Sequence, residues 1–183
     1  IVLVDVDKDK AHAQALDIAD SVSFCERETV VRSGEYKDCE DAAIVVIAIG
    51  EARKPGQTRL DMLGRSVEML KELLEQLSPY KISGIVVTIT NPADIVADFV
   101  RKGLGLERNK VFGTGTLLDT ARLIRTLSEE SGVSRHSIQA FSLGEHGDSS
   151  MIPFSTVTIG GIPFDEYNIS KEKVLKATRQ IGM

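Results

Sequence analysis

The chain has 183 residues, of which 42% are hydrophobic and 27% are charged, the composition of an ordinary globular protein with a sizeable core. A formal net charge of -5 without a cluster of lysine and arginine argues against a nucleic-acid partner. The longest apolar run, Ala42 to Ile49, is far shorter than the roughly 20 residues of a membrane-spanning helix, so no membrane partner is expected either. Small molecules and other subunits remain as partners.

The two cysteines, Cys25 and Cys39, have neither the spacing of metal ligands nor a disulfide framework around them. A chain of this size without a disulfide scaffold is typical of a reducing compartment. We therefore predict a cytoplasmic protein without a structural metal site.

The chain begins with a predicted buried strand, Ile1 to Val6, and a helix follows from Asp7, with apolar residues at helical spacing. Asp5 stands at the carboxyl end of this strand. In a dinucleotide-binding unit, an acidic residue there accepts hydrogen bonds from the adenosine ribose and repels a 2'-phosphate, which would select NAD. An equally good interpretation is a carboxylate that stabilises the start of the helix.

The glycine-rich phosphate loop that precedes such an acid by about 20 residues is not in this sequence. The first residues already read as a strand, and the last residues still follow a helical pattern. We therefore expect a fragment that lacks the first strand and helix of the dinucleotide-binding unit and the carboxyl-terminal part of a second domain.

A second buried strand, Ala42 to Ile49, has the continuous apolar pattern of a parallel sheet and ends at Gly50, a candidate cofactor-binding residue. A polar loop with a Pro-Gly turn follows and contains Arg53 and Arg59. Loops at the carboxyl edge of such a sheet hold ligands, so these arginines are candidates for binding an anion. A solvated charged loop is the alternative.

After a long helix, another apolar strand, Gly84 to Ile89, runs into Thr90-Asn91-Pro92 and a helix from Ala93 to Lys102. Proline is favoured at the start of a helix, where its missing N–H costs nothing. Asn91 is therefore a candidate helix cap as well as a candidate ligand-binding residue at the end of a strand.

A helix is predicted from Thr116 to Glu130, after a short strand and a glycine turn. Asp119 and Arg122 lie three residues apart and share one face of it. Apolar neighbours predict that the helix is largely buried, where charges are costly unless they are paired. The alternating strand–helix pattern changes here, so we place a dinucleotide-binding domain at residues 1–112 and a substrate domain at 113–183.

His146 lies between two glycines in Gly144-Glu145-His146-Gly147-Asp148, at the end of a predicted strand that starts at Ile138. A single histidine is more often a surface or core residue than a catalytic one. Together with an acid such as Asp119 and arginines that bind carboxylates, it supplies the parts needed to reduce a 2-keto acid. An antiparallel hairpin is expected from Phe154 onward.

Four segments resemble the L-lactate and malate dehydrogenase family: Lys54 to Arg59, Thr90-Asn91-Pro92, Thr114 to Arg122 and Gly144 to Asp148. They follow in the order of the family and cover nearly the whole chain. The resemblance implies an α/β, Rossmann-type doubly wound parallel sheet followed by an α+β substrate domain. It also implies NAD as cofactor and assembly as a homodimer or homotetramer.

The resemblance further implies a role for each matching residue. His146 would exchange a proton with the substrate oxygen, and Asp119 would hold its ring. Arg122 would bind the substrate carboxylate, and Arg59 would close over the site. Asn91 and Thr114 would lie near the nicotinamide and the substrate.

Arg53 is the main departure within the loop, because lactate-type members usually have glutamine at this position and malate-type members have arginine for a second carboxylate. The segments around His146 and Asp119 resemble the lactate and 2-hydroxyisocaproate dehydrogenases instead. The sequence thus favours an L-lactate dehydrogenase, with malate dehydrogenase as the alternative.

Two readings outside this class stay open. The chain could be a non-catalytic scaffold or subunit piece, or an NAD-using glycosidase on a related fold. The glycosidase would require metal ligands that the His146 segment does not obviously supply.

Overall fold

The computed structural model describes residues 1–50, 59–147 and 149–179, with the backbone alone for residues 59–63. The helices and strands, in chain order, are β1 Val2–Leu3, α1 Lys8–Val22, β2 Arg32–Ser33, β3 Ile44–Ile47, α2 Arg59–Leu77, β4 Ile85–Thr88, α3 Ala93–Gly103, β5 Val111–Gly113, α4 Leu117–Ser131, β6 Ile138–Gln139, β7 Thr158–Ile159, β8 Ile162–Pro163 and α5 Lys171–Arg179. No helix in these described ranges is long and apolar enough to cross a membrane.

The chain divides into two compact units. The first unit contains Ile1–Val87 and Phe99–Val111, and the second contains Thr88–Asp98 and Phe112–Met183. These units are defined by contacts and are not the two domains predicted from the sequence, so the domain boundary between residues 112 and 113 stays a prediction. The second unit includes residues 88–98, and with them Asn91, which that boundary assigns to the dinucleotide-binding domain.

In the first unit, β1 and β2 pair in parallel, with Val2 opposite Arg32. Helix α1 connects the two strands, as expected for a βαβ crossover. Asp7 caps the helix by accepting a hydrogen bond from the backbone N–H of Lys10 at 3.0 Å, which confirms the predicted helix start. The buried residues of α1, Ala11 and Ala15, recur at the predicted helical spacing.

A second sheet has the order β3-β4-β5, and helices α2 and α3 connect its strands. The prediction that β3 is buried on both faces is wrong: Ile47 is buried, whereas Ile44 is 62% and Val46 is 59% exposed. The predicted buried strand at the start of the chain is also shorter than expected, and Ile1 is 63% exposed. The physical reason is the same in both places, since no described element covers these side chains.

The core of the second unit contains residues of α4 and α5, which pack against each other, and of the strands β6 and β7. The strands β7 and β8 form an antiparallel hairpin, which confirms the expected one. Its turn is Gly160-Gly161, with φ of 61° and 81°, a left-handed conformation that glycine adopts without strain.

The sequence analysis predicted that helix α4 is largely buried, and this prediction is wrong. The helix is amphipathic. Its buried residues form one stripe at helical spacing, namely Asp119, Leu123, Thr126 and Leu127. Leu117 and Leu118 lie off this stripe, and Leu117 is 66% exposed. The acid at the head of the stripe is the feature on which the candidate site depends.

Candidate active site

Asp119 lies in the first turn of α4 and is only 4% exposed. The unpaired N–H groups of a helix start carry partial positive charge, which favours a carboxylate at this position. Burial of a charged group is nevertheless costly unless partners replace the lost water. The neighbouring side chains supply these partners.

Each oxygen of the Asp119 carboxylate has its own partner. The Nδ1 atom of His146 lies 2.5 Å from Oδ2, and the Nη1 atom of Arg122 donates to Oδ1 at 3.1 Å. The side chains of His146 and Arg122 are 15% and 22% exposed, so all three groups are largely withdrawn from water. A carboxylate with a partner at each oxygen is held in one orientation.

The carboxylate determines how the His146 ring is used. An ionised carboxylate only accepts hydrogen bonds, so Nδ1 of His146 carries a proton and donates a hydrogen bond to Oδ2 of Asp119. The other ring nitrogen, Nε2, is then the atom that can exchange a proton with another molecule. This is the arrangement of a general acid and base held by an orienting acid.

Arg122 uses one nitrogen of its guanidinium for Asp119. A guanidinium has five N–H donors in a planar fork, so its other donors can bind the two oxygens of a further carboxylate. The predicted pairing of Asp119 with Arg122 on one helix face is therefore present, and among the described residues Asp119 is the one partner of the cation.

The segment that carries His146 is closed at its base. Leu143 and Met151 exchange two backbone hydrogen bonds, each 2.9 Å long. Gly144 has φ of 94°, which a residue with a side chain rarely adopts, so a glycine is required where the chain leaves the bridge. Asp148, within the same motif, lies outside the described residues.

Asn91 and Thr114 belong to the same unit as this cluster. Asn91 is exposed, and its peptide bond to Pro92 is cis. The backbone N–H of Thr114 donates to the carbonyl of Thr88 at 3.0 Å, so the chain segments that leave β4 and β5 lie side by side. Among the described residues, neither side chain forms a hydrogen bond with His146.

Asp5 lines a cleft of about 250 Å³ in the first unit, together with Lys8, Ala11, Ser33, Gly34 and Glu35. Its Oδ1 atom accepts a hydrogen bond from the backbone N–H of Asp7 at 3.0 Å, and its Oδ2 atom lies 3.4 Å from Nζ of Lys10. The pKa of Asp5 is lowered below its ordinary value. The backbone hydrogen bond from Asp7 has the largest effect, and the positive charge of Lys10 adds to it. Asp5 therefore stabilises the start of α1 and also places a negative charge in the cleft.

The remaining candidates from the loop after β3 are described only in part. Gly50 is exposed, three residues after the end of β3 at Ile47. Arg53 lies outside the described residues. For Arg59, the backbone begins α2, and the position of its side chain is not described.

The sequence analysis missed several residues around the His146 segment. Hydroxyl groups of Thr116 and Thr120 bind the backbone of Ser142, and Arg179 donates to the carbonyl of Ser150 at 2.5 Å. No local signal in the sequence identifies these contacts, because they join residues that are 22 to 29 positions apart. In the parts of the chain that the structure describes, no group of three or more His, Cys, Asp or Glu residues could hold a metal ion.

Two family models match this chain. The model described as "lactate/malate dehydrogenase, NAD binding domain" matches residues 1–113. The model described as "lactate/malate dehydrogenase, alpha/beta C-terminal domain" matches residues 116–180. The two matches divide the chain close to the end of β5.

Two similar sequences are L-lactate dehydrogenases. That of Fervidobacterium nodosum is 39% identical over 99% of this chain and 63% of its own length. That of Lactococcus lactis subsp. cremoris is 38% identical over 95% of this chain and 55% of its own length. The chain thus spans less than two thirds of the length of these relatives.

Similar solved structures include two lactate dehydrogenases and a malate dehydrogenase. The minor L-lactate dehydrogenase of Enterococcus mundtii, in its ligand-bound form, has a TM-score of 0.89 at 33% identity, over 97% of this chain and 59% of that one. The malate dehydrogenase of Picrophilus torridus has a TM-score of 0.89 at 29% identity, over 98% and 58%. The lactate dehydrogenase of Cryptosporidium parvum, complexed with lactic acid and NAD, has a TM-score of 0.87 at 27% identity, over 97% and 59%.

Proposed function

The chain belongs to the lactate/malate dehydrogenase family, with its α/β, Rossmann-type fold, as its motifs predicted, and we propose that the protein is an NAD-dependent L-2-hydroxy acid dehydrogenase. Its reaction is hydride transfer between NADH and a 2-keto acid, with pyruvate as the preferred substrate. The observation that carries this proposal is the buried Asp119 carboxylate, shared between the imidazole of His146 and the guanidinium of Arg122.

His146 serves as the acid and base of this reaction. Reduction of a keto group places negative charge on the substrate oxygen, which then takes a proton. Nε2 of a protonated His146 provides that proton, because Nδ1 is bound to Asp119. The nearby carboxylate stabilises the imidazolium before the transfer and holds the ring in one orientation throughout.

Arg122 binds the carboxylate of the 2-keto acid with the donors that Asp119 does not use. Two parallel N–H···O bonds fix both the distance and the plane of the substrate. Such a clamp places the keto oxygen in one position relative to His146, because Asp119 holds His146 from the same helix face as Arg122. Arg59 and Arg53 are assigned to the substrate from the sequence resemblance alone.

NAD is the proposed cofactor, and when bound it supplies or accepts the hydride. The cleft beside Asp5 fits the adenosine end of such a molecule, because an anionic carboxylate accepts hydrogen bonds from ribose hydroxyls and repels a 2'-phosphate. Asn91 and Thr114 are assigned to the nicotinamide end, and Gly50 to cofactor binding, from the resemblance.

Malate dehydrogenase is the second candidate, for two reasons. Arg53 offers a partner for the second carboxylate of oxaloacetate, and the malate dehydrogenase of P. torridus is as similar in structure as the lactate dehydrogenases. The curated relatives at 38–39% identity are L-lactate dehydrogenases, which favours pyruvate.

The decisive experiment compares kcat/KM of the full-length protein for pyruvate, oxaloacetate and a branched 2-keto acid, each with NADH. We expect pyruvate to be preferred. Preference for oxaloacetate would transfer the assignment to malate dehydrogenase, and no turnover of any of the three would refute the enzymatic proposal. Cytoplasmic location and a homodimer or homotetramer belong to the same proposal, and sedimentation velocity measures the oligomeric state.

A further inference from the structure

The start of α4 forms two hydrogen bonds with the backbone of Ser142, one with its carbonyl and one with its N–H. The hydroxyl of Thr116 donates to the carbonyl of Ser142 at 2.6 Å. The backbone N–H of Ser142 donates to the hydroxyl of Thr120 at 3.0 Å. We call these two bonds the Ser142 clamp.

The clamp joins the two segments that carry the acid and the base. Thr116 is the residue before α4, and Thr120 lies in its first turns, directly after Asp119. Ser142 precedes His146 by four residues, at the base of the loop that Leu143 and Met151 close. Because that loop is closed on itself, its position relative to α4 depends on where its base is held.

The side chain of Thr116 forms the clamp and does not cap the helix. It is the N-cap residue of α4, where a threonine hydroxyl ordinarily accepts a hydrogen bond from a backbone N–H of the first turn. The structure shows no such capping bond, and the hydroxyl donates to Ser142 instead. The hydroxyl of Ser142 itself is buried without a partner among the described residues, so the clamp uses only its backbone.

From this arrangement we propose that Thr116 and Thr120 are positioning residues that hold His146 at hydrogen-bond distance from Asp119. The inference rests on the proposed function. Asp119 and His146 are 27 residues apart, and the bond between them is 2.5 Å long. A displacement of about 1 Å between groups that must be aligned for reaction can lower turnover by about a hundredfold, so a clamp at the base of the loop has a large effect.

The test replaces Thr120 by valine, which keeps the shape of the side chain and removes the acceptor. We expect kcat of the full-length protein to fall at least tenfold, while KM for the 2-keto acid and Kd for NADH change less than twofold. Thr120→Ser restores the hydroxyl and should return kcat to within threefold of the parent.

Thr126→Val is the matched control. Thr126 lies on the same helix, is more buried than Thr120 at 5% exposure, and its hydroxyl has no partner among the described residues. The same chemical change there should leave kcat within twofold. An equal loss of kcat in both variants would mean general damage to α4 and would overturn the proposal.

Nuclear magnetic resonance gives a readout that does not depend on turnover. The Nδ1 proton of His146, in a short bond to a carboxylate, should give a low-field resonance in protein labelled with 15N-histidine, assigned by its loss in His146→Asn. Thr120→Val should move or broaden this resonance, and Thr126→Val should not. An unchanged resonance, together with kcat within threefold of the parent, would overturn the clamp.

The two proposals can fail separately. If the parent protein turns over none of the 2-keto acids, the dehydrogenase proposal fails, and the resonance still decides whether the clamp positions His146. If Thr120→Val does not fold, Thr116→Val removes the other bond of the clamp, and the same two readouts decide.

Discussion

Replacement of Asp119 by asparagine tests the centre of the site with the smallest change of shape. The amide of asparagine can still accept a hydrogen bond from His146, and it removes the negative charge that lies 2.5 Å from Nδ1 of that ring. Arg122 loses its anionic partner at the same time. The change therefore acts on charge, with little effect on packing.

The expected magnitude follows from the position of the pair. Opposite charges about 4 Å apart interact by about 4 kcal/mol at the effective dielectric of a partly shielded protein site. The difference between a charge-assisted and a neutral hydrogen bond is smaller, about 1 to 2 kcal/mol. These bounds correspond to a loss of kcat between roughly tenfold and a thousandfold, and the low exposure of all three side chains places our expectation near the upper end.

The assay is steady-state reduction of pyruvate by NADH, with Kd for NADH measured by fluorescence titration. We expect kcat to fall at least a hundredfold and Kd for NADH to stay within twofold. Asp165→Asn is the control, because Asp165 also forms a short ion pair, with Lys171 at 2.7 Å, but on the exposed surface, where such pairs contribute little. A fall in kcat of less than tenfold for Asp119→Asn would refute the assignment of Asp119 as the orienting acid.

Three further substitutions test the rest of the proposal. His146→Ala should abolish turnover and leave NADH binding nearly intact; turnover within tenfold of the parent would exclude His146 as the acid and base. Asp5→Ser should relax the preference for NADH over NADPH, since Lys8 and Lys10 stay beside the cleft when the carboxylate is removed; an unchanged ratio of kcat/KM would limit Asp5 to the start of α1. Because the pKa of Asp5 is lowered in the folded chain, its contribution to stability is complete above the ordinary pKa of 3.8 and is lost as pH falls through the folded value, which urea titrations of the parent and Asp5→Ser at several pH values would show. Arg53→Gln should lower the ratio of oxaloacetate to pyruvate efficiency at least tenfold, and a change below threefold would mean that Arg53 does not contact the substrate.

The order of helices and strands was predictable because hydrophobic periodicity is a local property. The start of α1 at Asp7, the hairpin at Gly160-Gly161 and the pairing of Asp119 with Arg122 all depend on residues close in sequence. The contact between Asp119 and His146 spans 27 residues. The chemistry of a histidine with an acid and the resemblance to a family suggested it, whereas local periodicity did not.

Burial was harder to predict, because it depends on what covers a side chain and not on the side chain itself. Ile44 and Val46 belong to an apolar run that is typical of a fully covered strand, yet both are exposed. The Ser142 clamp escaped prediction for a related reason. A threonine before a helix indicates a cap, and local sequence gives no sign that its hydroxyl binds a residue 26 positions away.

The single carboxylate of Asp119 has a consequence for how this site can evolve or be rebuilt. Its two oxygens bind Arg122, which we propose holds the substrate, and His146, which we propose transfers the proton, so a change at either partner alters the field felt by the other. Contributions of Arg122 and His146 to the rate are then not additive, and a mutation that improves one in isolation can be harmful in the presence of the other. A graft of this chemistry onto another scaffold would have to move the helix turn, the anion and both of its partners as one indivisible unit.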